Sequence, residues 1–294
     1  VERPANARAR LIEILTEQSP PGPNPAQGPK LIVDEPSNLG SRVAEAVAVC
    51  SRKAIAARGS FCIAIAGGSL VKMLGSMASL EGIEWEKWHV AWVDERCVPH
   101  DHAESNYGGA LSAWLSKVKI PASQIYPIKN GGEGGGLPAA QAAADEYEER
   151  LKAVGALPRD SAGLPVFDLL LLGFGPDGHI CSLFPGHPLL GDQSGRWILP
   201  IGDSPKPPPE RITLSLGAVN AARAVVLVGA GASKAEPVAH VFGPAPEAPL
   251  PCALGIGAGP TPPLWLIDTP AASGLPAAQR AATAGPVDFA AHFC

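Results

Sequence analysis

Residues 166–186 read VFDLLLLGFGPDGHICSLFPG, an apolar run that stops in a glycine-rich turn carrying an aspartate and a histidine. From Val166 to Leu172 only Asp168 interrupts the apolar residues, so the segment reads as a strand buried on both faces, as strands are in parallel sheets covered by helices. The pattern recurs at FCIAIA (61–66), HVAWVDE (89–95) and AVVLVGA (224–230). LIVDE (31–35) reads as an edge strand, with Ser37 or Asn38 capping an Ala-rich helix that runs to about Ala57. LVKMLGSM (70–77) and residues 138–154, with their EYEERLK charge pattern, read as helices. Strands alternating with helices predict an α/β fold with a mostly parallel, Rossmann-like sheet flanked by helices.

The chain has 294 residues, 46% hydrophobic and 17% charged, enough apolar material for a sizeable core. Residues 1–29, which include SPPGPNPAQGP, form a Pro/Gly-rich N-terminal segment, and 30–294 read as a single domain. Gly-rich 131–136, Pro-rich 203–209 and Pro/Ala-rich 244–251 read as surface excursions within it, and no fixed-period repeat is present.

A net charge of −5 gives no general attraction to nucleic acid or an anionic membrane, and no apolar run approaches the ~20 residues of a membrane span. An anionic ligand therefore needs a local cluster of cations and backbone N–H groups. The six cysteines form no CxxC pair and suggest a reducing compartment. The chain begins at Val1, and its early residues, Arg3, Arg8 and Arg10 among them, carry no apolar signal core. The expectation is a processed or trimmed chain of the cytoplasm or the chloroplast stroma, and a monomer.

In an open parallel sheet, ligands bind beyond the carboxyl ends of the strands. One such end is Gly67-Gly68-Ser69, where backbone can approach a phosphate at a helix start, although the same residues also make an ordinary tight turn. Another is Asp94-Glu95-Arg96, which as an isolated triplet reads equally well as a surface ion pair. The third holds Asp177 and His179, a carboxylate and an imidazole suited to general-base work if the histidine is more than an exposed loop residue. Arg211 and Lys234, each unremarkable alone, complete an anion pocket when taken with Gly67, Gly68 and Ser69. His100, His102, His187, His240 and His292 show no metal-ligand spacing, and no GxSxG elbow for a nucleophilic serine occurs. Neither a metal nor an organic cofactor is expected.

The ordered blocks AGGS (66–69), WVDERCVPHDHAESNYGG (92–109), DLLLLGFGPDGHICSLFPGHPLL (168–190), ERITLS (210–215), GASKAE (231–236) and PLWLID (263–268) resemble the 6-phosphogluconolactonase family over about residues 31–268. The resemblance implies a Rossmann-like sheet shared with glucosamine-6-phosphate deaminases. It also implies a phosphorylated sugar lactone as substrate, held through its phosphate by Gly67, Gly68, Ser69, Arg211 and Lys234. His179 would be the base for water, oriented by Asp177. Arg96 would face the oxyanion or a hydroxyl, Asp94 would hold a hydroxyl or Arg96, and Asn106 would belong to a lid. Ile180 departs toward the deaminase pattern, where lactonases usually have Thr. Phe184, in the place of the deaminase glutamate, and Arg96, in the place of its tyrosine, favour the lactonase. A deaminase or isomerase, or a non-catalytic sugar-phosphate sensor, are the alternatives. Cys97, beside Arg96, and Cys181, near His179, read as small buried side chains, with redox control as the other reading.

Overall fold

The computed structural model describes residues 28–129, 136–243, 249–255, 257, 261–283 and 287–293. Most of the Pro/Gly-rich N-terminal segment and parts of the excursions at 131–136 and 244–251 lie outside the described residues.

Six strands form one parallel sheet: β1 (Lys30–Asp34), β2 (Phe61–Ile65), β3 (Trp88–Trp92), β5 (Leu169–Gly173), β8 (Val225–Gly229) and β9 (Leu264–Asp268). Their order is β1-β9-β8-β5-β2-β3, so LIVDE is an edge strand as expected. All five residues of β2, β8 and β9 are buried, the reason these segments are apolar throughout and lack period-two alternation. Helices Leu39–Arg58, Asn106–Ala113, Gly136–Lys152 and Ala235–Phe242 join and cover the strands. The first starts after Asn38, but Asn38 makes no cap bond. Its Nδ2 donates to Asp34 Oδ1 instead, at 2.9 Å.

HVAWVDE is not one strand. At Val93 the chain changes sheets: its N–H still donates to Ile65 O in the parallel sheet at 3.1 Å, while its carbonyl accepts from Leu214 N at 2.7 Å. Residues Asp94–Arg96 then form β4, the edge of a small antiparallel sheet with β7 (Arg211–Leu214) and β6 (Ile198–Ile201). This second sheet, absent from the sequence expectation, carries Asp94, Arg96 and Arg211 to the carboxyl ends of the main strands.

Chain direction fixes where those ends gather. The connection from β2 leads outward to β3, whereas that from β5 leads the other way to β8, so the crossovers diverge between β2 and β5. A crevice opens at such a divergence. The β2 turn at Gly67 and the β5 loop with His179 flank it.

Candidate active site

The β5 loop is held by a bridge between Phe174 and Ile180 and by Gly175 N donating to His179 O at 2.8 Å. This folds Asp177 and His179 against each other, with Nδ1 2.6 Å from Asp177 Oδ1. Gly175 is required here, because a Cβ would lie 2.1 Å from His179 Nδ1 and 2.3 Å from Asp177 Oδ1.

Lys206 completes the group, its Nζ 3.2 Å from Asp177 Oδ1 and 3.2 Å from His179 Nδ1. Nδ1 cannot both donate to the carboxylate and accept from the ammonium. The shorter contact to an acceptor-only carboxylate puts the proton on Nδ1, so Lys206 bonds Asp177 and Nε2 keeps its lone pair. Burial lowers the His179 pKa below its ordinary value of 6.5; Asp177 opposes this and Lys206 adds to it. Burial alone would raise Asp177, but the hydrogen bonds from His179 and Lys206 outweigh it and leave its pKa lowered. The result is a neutral imidazole beside an ionised carboxylate near pH 7. The Phe184 ring lies 4.6 Å from the imidazole and supplies an apolar flank with no proton to exchange.

Lys206 was not singled out in the sequence, because SPKPPPER reads as a surface excursion. The stretch is a surface loop, with Asp203, Pro205, Pro207 and Pro209 exposed, but one that turns Lys206 toward His179. Arg211 holds the loop from inside, with Nη2 donating to Lys206 O at 2.8 Å and Pro207 O at 3.1 Å, and Nε to Pro208 O at 2.9 Å. The available signal was a lysine among prolines five residues before Arg211.

Arg211 is itself buried, and Arg96 is its register partner across β4 and β7. Burial lowers its pKa, with Arg96 adding to the shift. Arg96 Nη1 donates to Glu104 O at 2.7 Å and Glu104 Oε2 at 2.9 Å, and its buried Nε has no partner among the described residues. Lys234 follows β8, and its Nζ donates to Phe174 O at 2.5 Å; burial lowers its pKa, assisted by Lys206. Four cations, Arg96, Lys206, Arg211 and Lys234, thus gather among four carboxylates, Asp94, Glu95, Glu104 and Asp177.

Asp94 is buried and accepts from Ser182 Oγ at 2.8 Å, tying β4 to the His179 loop. Asn106 is buried too, donating from Nδ2 to Asp94 O at 2.9 Å. Glu95 pins the start of its helix. That carboxylate accepts from Asn106 N and Tyr107 N, both at 2.8 Å, and burial pushes its pKa up to about 7 against these bonds. Gly68 and Ser69 are exposed at the end of β2, where the first N–H groups of the helix Ser69–Leu74 lack intrahelical partners.

Burial pushes Cys97 up to about 12 and raises Cys181 as well, so neither thiol is activated by its neighbours. Among the described residues no group of three His, Cys, Asp or Glu is placed to hold a metal ion, and no helix is long and apolar enough to cross a membrane.

Fold and site define an α/β protein of the doubly wound kind, with a His–Asp–Lys group and an arginine pair at its switch point. The family profile described as glucosamine-6-phosphate isomerases/6-phosphogluconolactonase matches residues 34–259, and the chain belongs to this family. A rice protein described as probable 6-phosphogluconolactonase 3, chloroplastic, is 48% identical over 219 residues, 72% of this chain and 65% of its own length. The chain thus spans just under two thirds of that relative. Human 6-phosphogluconolactonase is 42% identical over 236 residues, covering 78% of this chain and 87% of the human one. Among solved structures, 6-phosphogluconolactonase from Trypanosoma brucei superposes with a TM-score of 0.72 at 28% identity, covering 84% of this chain and 99% of its own.

Proposed function

We propose that the chain hydrolyses 6-phospho-D-glucono-1,5-lactone to 6-phospho-D-gluconate, the step of the oxidative pentose phosphate pathway that the names of its relatives describe. The observation that carries this reading is His179, neutral and tautomerically fixed by Asp177, beside a cluster of cations at the switch point.

The phosphate is held by Arg211, Lys234 and the Gly67-Gly68-Ser69 turn, which sets lactone C1 beside His179 and makes the attack of water effectively intramolecular. His179 Nε2 takes one proton from that water as its oxygen bonds to C1. The charge passes to the former carbonyl oxygen, which Arg96 faces through N–H groups not used on Glu104. When the tetrahedral centre collapses, the bond from C1 to the ring oxygen breaks and His179 returns the proton to that oxygen as the C5 hydroxyl. Asp177 steadies the imidazolium between the two transfers. Phe184 beside His179 supports the lactonase over the deaminase, since phenylalanine cannot assist the proton transfer of ring opening. No metal or organic cofactor enters this route. The resemblance to chloroplastic rice relatives supports the chloroplast stroma, with the cytoplasm as the other compartment, and a monomer remains our reading of the assembly.

The deciding assay couples 6-phosphogluconate formation from fresh lactone to its dehydrogenase, corrected for spontaneous hydrolysis, with ammonia release from glucosamine 6-phosphate measured in parallel. Accelerated hydrolysis without ammonia is expected. Ammonia release alone would transfer the site to the deaminase reaction, and neither activity would leave a sugar-phosphate sensor.

A further inference from the structure

At the opposite end of the sheet, where β2, β5 and β8 begin, lies a cavity of about 490 Å³. That volume falls in the range of small-molecule sites. The five residues of β5, at about 3.3 Å each, put this end roughly 17 Å from the His179 loop, so the cavity is separate from the site described above.

Its polar wall is organised by Asp168, which is buried just before β5. Oδ2 accepts from Cys62 N at 2.9 Å, and Oδ1 draws in two guanidinium groups, Arg58 Nη2 at 2.5 Å and Arg223 Nε at 3.4 Å. The remaining N–H groups of both arginines have no protein partner among the described residues. Lys53 adds a third cation to the wall. The second carboxylate there, Asp160, is turned into its own loop, accepting from Ala162 N at 2.9 Å and Leu164 N at 2.8 Å. Among the described residues the wall thus carries three cations and two carboxylates, and Lys53 is itself engaged, its Nζ donating to Ala290 O at 2.7 Å, so the two arginines are the groups that would face an anion in the cavity. Beside the arginines, Ala57, Ala221 and Phe293 give the cavity an apolar side.

Two guanidinium forks drawn together by one carboxylate, with their outer N–H groups unused, form a chelating arrangement for an oxyanion. We propose that this cavity binds a small oxyanion metabolite, a phosphate monoester or a carboxylate, with Arg58 and Arg223 on the anionic group and the apolar side against its carbon body. Asp168 is the positioning residue that aims both forks.

Inorganic phosphate and succinate serve as probes of the two anion types, with hydrogen exchange of the full chain locating each and calorimetry giving its affinity. Protection of peptides spanning residues 50–58 and 219–225 is expected from at least one probe, and the probe that protects them assigns the anion type. Arg223→Gln and Arg58→Gln each leave Asp168 one arginine, so the fold survives, which thermal melting checks. Each is expected to weaken that binding about 10-fold or more while leaving lactone hydrolysis without added anion unchanged. Protection by phosphate confined to residues 67–72 and 206–211, no protection by either probe, or equal affinity in both variants would overturn the proposal.

Discussion

Arg96 and Arg211 stand directly opposite each other in the antiparallel register of β4 and β7. Like charges at such a pair destabilise a sheet, and here one of them is buried. Asp94, Glu104 and Glu95 offset part of the repulsion, and an anion bound at Arg211 would feel the field of Arg96 beside it as well. Inorganic phosphate should therefore raise the melting temperature of the wild-type chain, since a ligand that binds only the folded state stabilises it. In Arg96→Gln the ligand-free chain should melt no lower than about 2 °C below wild type, because the lost Glu104 contact is offset by relieved repulsion. The phosphate-induced rise should shrink. Thermal melts with and without phosphate measure both, and an undiminished rise would remove Arg96 from the anion site.

Lys206 and Asp177 act on His179 in opposite senses, which gives a signed test in the pH profile. A base works only when unprotonated, so kcat/KM should fall as pH falls through the His179 pKa, with a midpoint below 6.5. Lys206→Gln removes a cation that holds the pKa down, and the limb should move to higher pH. Asp177→Asn removes a carboxylate that holds it up, and the limb should move to lower pH with a loss of rate from the unfixed tautomer. Limbs that stay in place in both variants would mean that another group titrates.

Replacing the base itself separates chemistry from binding. His179→Ala should lower kcat by about 10²- to 10⁴-fold with KM little changed, because in the proposed site the phosphate contacts come from other residues. Steady-state kinetics above the spontaneous rate decide this, and retained turnover would reject His179 as the base.

The main sheet and the His179 loop were legible because both are written locally. An unbroken apolar run specifies a strand buried on two faces, and Gly175 leaves space that no other residue leaves beside Asp177 and His179. The second sheet was not legible. Val93 is apolar like its neighbours, and its change of partner from Ile65 to Leu214 depends on a segment 121 residues away in sequence. Lys206 was hidden for the same reason: its loop is aimed into the site by Arg211, and nothing in SPKPPPER records that contact. Asn106 was found through a motif block, but its burial against Asp94 follows from Glu95, whose bonds to the helix start have no sequence periodicity.

Lys234 and Arg211 should behave differently although both face the phosphate in the proposed site. Among the described residues Lys234 donates one hydrogen bond, to the carbonyl of Phe174, so Lys234→Ala should raise KM for the phosphorylated lactone about 10-fold or more and leave an unphosphorylated lactone nearly unaffected. Arg211 also holds the carbonyls of Lys206, Pro207 and Pro208. Arg211→Ala should release Lys206 from Asp177, lowering kcat on both substrates in addition to raising KM on the phosphorylated one. Matching kinetic profiles for the two variants would contradict this division of roles.

The turn after β2 is constrained from the far side of the site. Asn106 lies so close to Gly67 that a Cβ there would fall 1.7 Å from Oδ1 and 2.1 Å from Cγ. Asn106 cannot swing away freely, because Nδ2 is bonded to Asp94 O and its own N–H to Glu95. Gly67→Ala must therefore displace either the turn or the helix start, and overpacking of this kind costs about 1–3 kcal/mol. Since in the proposed site the same turn presents Gly68 and Ser69 to the phosphate, KM for the phosphorylated lactone should rise together with the loss of stability. Pairing Gly67→Ala with Asn106→Ala removes the clash, so the double variant should be more stable than additivity of the two single losses allows. Chemical denaturation of the four chains measures that coupling, and strict additivity would show that the contact does not set the position of the turn.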